Sequence, residues 1–121
     1  MRNLVKVFKA LGDQNRIRIL KMLQEKPMSV GQLTQVLGIS QPAVSRHLRQ
    51  LSEAGLVEAR RQAFWVTYRL PRHPDNRYVP VLLKHLSSWA NQDSQVSRDH
   101  YQVRHLRPKR PDNLTCKVKL K

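Results

Sequence analysis

The sequence predicts a mainly α-helical domain that carries one small β-hairpin. Three observations carry that prediction. Two short helices with marked ends follow each other almost without a break between Ser29 and Gly55, a run of β-branched and aromatic residues from Leu56 to Leu70 has a turn in its middle, and amphipathic stripes flank this unit on both sides. At 121 residues the chain has the length of one domain.

The elements follow in order. Leu4, Val7, Phe8 and Leu11 recur at helical spacing and the first helix stops at Gly12. Asp13 then caps a second helix carrying Ile17, Leu20 and Leu23, which Pro27 ends. Ser29 begins SVGQ, a Ser with Gln three residues on, in which hydroxyl and amide satisfy each other's unpaired N–H groups. Val30, Leu33, Val36 and Leu37 form the stripe of this third helix, and Gly38 supplies its left-handed stop. Ser40 caps the next helix, with Pro42 in its first turn, where a missing N–H costs little. Val44, Leu48 and Leu51 give it an apolar side, and Ala54-Gly55 ends it. In the segment VEARRQAFWVTYRL, Phe64, Val66 and Tyr68 alternate with Trp65, Thr67 and Arg69, so two strands around a turn near Gln62-Ala63 are expected. That turn places Arg60, Arg61 and Gln62 at the hairpin tip and assigns Phe64 and Trp65 to the core. After a turn-rich PRHPDN link, Val79, Leu82, Leu83, Leu86 and Trp89 mark a helix from about Arg77 to Ala90, with Pro80 in its first turn. Val96, Val103 and Leu106 indicate one more helical stretch before a basic, Pro-interrupted tail.

Two helices joined by so tight a turn make a helix-turn-helix, and a basic hairpin beside it makes a wing. Successive residues about 100° apart place Gln41, Ser45 and Ser52 on one flank of the second helix's stripe, His47 on the other, and Arg46 and Arg49 nearly opposite it. Such a face offers a DNA groove amide, hydroxyl and guanidinium groups. Arg matches guanine bidentately, Gln matches adenine, and N-terminal amides and hydroxyls suit phosphate. The candidate DNA-binding set is therefore Ser40, Gln41, Pro42, Ser45, Arg46, His47 and Arg49 on the helix, with Arg60, Arg61 and Gln62 on the wing.

Composition agrees. The chain has 23 Lys and Arg against 8 Asp and Glu, a formal charge of +15, which points to a polyanionic partner. Charge alone supplies affinity without sequence preference, so a general architectural DNA-binding protein stands as the alternative to a specific regulator. No apolar run has membrane-spanning length and the N-terminus has no signal-peptide core, so a cytoplasmic protein with no membrane partner is expected. Catalysis is not expected: Ser45 and His47 point apart on one helix and no paired carboxylates stand together. A small core leaves the first helix and the Arg77–Ala90 helix without enough interior to cover their stripes. A homodimer closed by Leu4, Val7, Phe8, Leu11, Leu82, Leu83, Leu86 and Trp89 follows, and its two-fold axis calls for an operator that is an imperfect palindrome.

The segment from Leu4 to Leu70 resembles the ArsR/SmtB family of winged helix-turn-helix repressors, through FKALGDQNRIRIL at Phe8 to Leu20, SQPAVSRHLRQLSEAGLV at Ser40 to Val57 and RRQAFWVTYRL at Arg60 to Leu70. The resemblance covers over half the chain. It implies a homodimer built from the first and last helices, binding double-stranded operator DNA and released by a small inducer, often a metal ion or arsenite.

Departures from the pattern bear on that inducer. Metal-sensing members carry a Cys-Val-Cys box where this chain reads Met28-Ser29-Val30-Gly31-Gln32-Leu33, and Ser29 and Gly31 offer no thiolate. The family's other site requires an Asp, a His two residues on and a His pair about three turns later, a spacing that His85, Asp99, His100 and His105 do not reproduce. No metal site and no cofactor is therefore expected, and the inducer has no identity from sequence. Cys116, the single cysteine, keeps open a metal, arsenite or redox sensor as an alternative. The wing turn also has Ala63 where the family usually has Gly, so a different tip is expected. The domain reading is residues 1–92 for DNA binding and dimerisation, and 93–121 for a basic extension, partly helical and then flexible.

Overall fold

The structure, a computed structural model, describes residues 1–106. Cys116 and the expected basic tail lie outside the described residues. Six helices and three short strands follow one another as α1 (Arg2–Leu11), α2 (Gln14–Leu23), β1 (Met28–Ser29), α3 (Val30–Leu37), α4 (Gln41–Glu53), β2 (Glu58–Gln62), β3 (Trp65–Arg69), α5 (Val79–Leu86) and α6 (Ser94–Arg104).

The starts of α2, α3 and α4 are fixed where the sequence marks them, and α6 has a cap that the sequence reading did not single out. Asp13 Oδ1 accepts the backbone N–H groups of Asn15 and Arg16 at 2.8 and 3.3 Å, and Asp93 Oδ2 does the same at the start of α6 for Gln95 and Val96. Each cap satisfies donors that the first helical turn leaves unpaired. At α3 the capping box is complete: Gln32 N–H donates to Ser29 Oγ at 3.2 Å, and Ser29 N–H donates to Gln32 Oε1 at 3.0 Å. Gly38 stops α3 at φ +71°, a left-handed conformation that a Cβ would strain.

One core serves all the helices. Ile19, Leu20 and Met22 from α2, Leu33 from α3, and Val44, Leu48 and Leu51 from α4 are buried together with Met28, Leu56 and Val79. Each Val or Leu withdrawn from water contributes about 1.5–3 kcal/mol, so the three α4 side chains dominate the seating of that helix. Val103 of α6 joins the same core, and α6 packs on α2 and α3.

Three details differ from the sequence reading. The sheet has a third strand: β1 pairs antiparallel with β3 through Met28↔Tyr68 and Ser29↔Thr67, giving the order β1-β3-β2. Two residues are too few to show periodicity, and their pairing is made some forty positions away. Helix α5 ends at Leu86, and Trp89 lies in the following turn, stacked on His85 with ring centroids 5.6 Å apart. The hairpin turn is Ala63-Phe64, one residue beyond the expected place. Arg60, Arg61 and Gln62 consequently stand along β2 rather than at the tip, and Phe64 is not core but 90% exposed.

Candidate nucleic-acid interface

Helix α4 is anchored on one side and open on the other. Val44, Leu48 and Leu51 are buried, whereas Gln41, Pro42, Arg46 and Arg49 are exposed, with Ser45 and His47 half-buried on the flanks. Ser40 Oγ accepts Ala43 N–H at 3.3 Å, which satisfies one amide of the first turn. Pro42 has no N–H and Val44 N–H donates to the Ser40 carbonyl at 3.1 Å, so the first turn offers a phosphate oxygen the Gln41 amide and the positive end of the helix dipole.

Arg16 fixes this helix against its neighbours. Its Nε donates to the Ala10 carbonyl at 2.8 Å, near the end of α1, and its Nη1 donates to Gln50 Oε1 of α4 at 3.0 Å. One planar guanidinium thus ties α1, α2 and α4, a role the sequence reading missed because its partners are backbone and amide oxygens with no motif.

From Glu53 the chain passes through buried Ala54, Leu56 and Val57 into the wing, so helix and hairpin share a short, well-packed joint. At the base of the wing Arg69 Nε donates to Glu58 Oε2 at 2.6 Å, between residues directly opposite on β3 and β2. That pair neutralises Arg69. Arg60 and Arg61, further along β2, are exposed and have no carboxylate partner among the described residues, and the same holds for Arg46 and Arg49. Cations left without internal partners on a helix-turn-helix and its wing are available to phosphates and base edges.

The candidate dimer residues divide. Val7 and Leu86 belong to the chain's own core, Leu4, Leu11, Leu82 and Leu83 are half-buried, and Phe8 and Trp89 are exposed, as are Val5 and Val81 on the same two helices.

The groups considered as metal ligands are engaged in other contacts. Asp99 is buried and accepts Arg18 Nε and Nη2 at 2.8 and 2.9 Å and Gln95 Nε2 at 2.9 Å. His100 Nε2 lies 3.2 Å from the Lys21 carbonyl, and His105 stacks on Tyr101. Among the described residues no group of three or more His, Cys, Asp or Glu is placed to hold a metal ion. A soft ion needs thiolates, and the described residues contain none, so nothing among the described residues fits arsenite or another soft ion.

The comparisons with known proteins agree with the geometry. A family profile described as bacterial regulatory protein, arsR family, matches residues 13–59. The arsenic resistance transcriptional regulator ArsR1 of Pseudomonas putida is 45% identical over 89 residues, which are 72% of this chain and 67% of that protein. The transcriptional activator HlyU of Vibrio cholerae is 39% identical over 88 residues, 73% of this chain and 81% of HlyU. The chain belongs to the ArsR family. Its structure matches that of HlyU with a TM-score of 0.60 at 35% identity, over 70% of this chain and 88% of HlyU. It also matches the homodimeric winged helix-turn-helix DNA-binding domain of Mb0332 from Mycobacterium bovis, with a TM-score of 0.60 at 26% identity over 89% of each chain. This ArsR-family chain is thus a DNA-binding transcriptional regulator with a winged helix-turn-helix fold. Among the described residues no helix is long and apolar enough to cross a membrane.

Proposed function

We propose that this ArsR-family protein is a cytoplasmic homodimeric repressor that binds an imperfectly palindromic operator and leaves it on a signal. The observation that carries the reading is the contrast on α4: a fully buried Val44, Leu48 and Leu51 stripe, and across from it Arg46 and Arg49, exposed and without carboxylate partners among the described residues. In this reading α4 enters the major groove, Gln41, Ser45, Arg46 and Arg49 face base edges or the adjoining phosphates, and Ser40, Pro42 and His47 border the contact. Arg60, Arg61 and Gln62 grip the neighbouring backbone from β2. Phe8, Val5, Val81 and Trp89 leave apolar surface on α1 and around α5 that a second copy would cover, and the homodimeric relative supports that arrangement.

Several relatives are arsenic regulators, but the described residues supply no thiolate for arsenite, so the signal is a different small inducer or acts through residues beyond 106. Footprinting on DNA upstream of the protein's own gene, combined with sedimentation of the complex, tests the proposal. Two protected half-sites with centres about one helical turn apart, occupied by two chains, are expected. Uniform coating with no protected site would instead identify a general DNA-coating protein.

A further inference from the structure

We propose that Phe64, at the tip of the wing, is an apolar wedge that enters the minor groove of the bound duplex and unstacks a base step beside the sequence read by α4. The inference rests on the operator-binding reading above and adds a second recognition element to it.

Phe64 is 90% exposed, and it differs from the other exposed apolar side chains in where it stands. Val5, Phe8, Val81 and Trp89 lie on or next to α1 and α5, where the proposed second copy would cover them, Met1 directly precedes α1, and Tyr101 on α6 stacks on His105. Phe64 lies on none of these helices. It occupies the summit of a ribbon that β1 supports only at Thr67 and Tyr68, so the outer pairs Arg61↔Val66 and Gln62↔Trp65 are two-stranded and free of the third strand. With five residues in each strand the ribbon is roughly 17 Å long, enough to carry its tip away from the helical body.

The residues below the tip suit the walls of a minor groove. Successive strand residues point to opposite faces, so Arg60 and Arg61 place one unpartnered cation on each side of the ribbon. A minor groove about 6 Å wide is bordered by two rows of phosphates, and a ribbon charged on both faces can address both rows while its tip meets the floor. An aromatic ring at that point is the kind of group that unstacks base steps.

The turn itself runs against local preference. A two-residue hairpin turn is cheapest with Asn-Gly or a leading Gly, yet Ala63 holds φ +53° and is followed by a large solvated ring. Local choices that oppose the fold's own preferences concentrate at functional positions.

The test uses the full-length protein and its upstream DNA, with 2-aminopurine replacing one adenine at a time across and beside the protected site. Wild type is expected to raise 2-aminopurine emission at one or two positions flanking each half-site. Phe64→Ala should abolish the rise and weaken binding about tenfold, the size of a lost base–aromatic contact, with an unchanged salt slope because no phosphate contact is removed. Phe64→Leu, which keeps an apolar wedge, should retain most of the emission. Absence of any brightening with wild type, or the same brightening with Phe64→Ala, overturns the wedge. If wild type nonetheless prefers its upstream fragment, the repressor reading survives; if it does not, both fall.

Discussion

Lys21 is an ammonium group with 1% of its surface exposed, its Nζ donating to the Leu86 carbonyl at 2.8 Å and to Asn91 Oδ1 at 2.7 Å. Burial pushes its pKa below the ordinary lysine value of about 10.4, while the nearby Glu25 carboxylate opposes the fall. Between the lowered folded value and about 10.4 the unfolded chain binds more protons than the folded one, so stability rises with pH across that window and the penalty is fully present below it. Relative to a Lys21→Met variant, the wild-type denaturation midpoint is expected to climb as the pH approaches about 10.4; parallel curves for the two proteins would contradict the assignment. Lys21 was not legible in the sequence, where it reads as one more cation of a basic chain. Its burial depends on Leu86 and Asn91, more than sixty positions away. Phe64 was misread for the complementary reason. Alternation assigned it to the core, and a turn one residue later than expected lifted it into solvent.

At the scale of elements, the parts with local causes were legible. Ser29 with Gln32, Asp13, Ser40 and Gly38 fix helix ends through contacts within a few residues, and each stands in the structure where its pattern indicated. Pairings between distant segments were not. Strand β1 exists only because β3 comes alongside it, and α6 is held to α2 by the Arg18–Asp99 fork across 81 positions. That fork is the stronger case, because Asp99 is 1% exposed and both its oxygens accept N–H donors. Removing one partner strands the other charge in poorly hydrated surroundings. Asp99→Ala is expected to destabilise the fold by about 3 kcal/mol in denaturant titration. Replacing both residues with apolar ones, Arg18→Met with Asp99→Leu, should recover most of the loss, whereas equal destabilisation by the single and double changes would show that the loss comes from the pair's own bonds and not from a stranded charge.

At the scale of the whole molecule, the described arginines differ in whether a carboxylate pairs with them. Arg18, Arg69 and Arg104 are paired with carboxylates, while Arg46, Arg49, Arg60 and Arg61 on α4 and the wing, like Arg2, Arg72 and Arg77 elsewhere, are exposed without such partners among the described residues. A net charge of +15 attracts any polyanion, so only the placement of the arginines on α4 and the wing separates a specific regulator from a general DNA binder. The most direct measurement is the affinity of wild type and of an Arg46→Ala, Arg49→Ala variant for the upstream fragment and for a scrambled fragment of equal length, at several salt concentrations. The account predicts that wild type prefers its own fragment by about a thousandfold or more, and that the variant loses most of that preference while still binding scrambled DNA through the remaining cations. Equal affinity of wild type for both fragments at every salt concentration would contradict it.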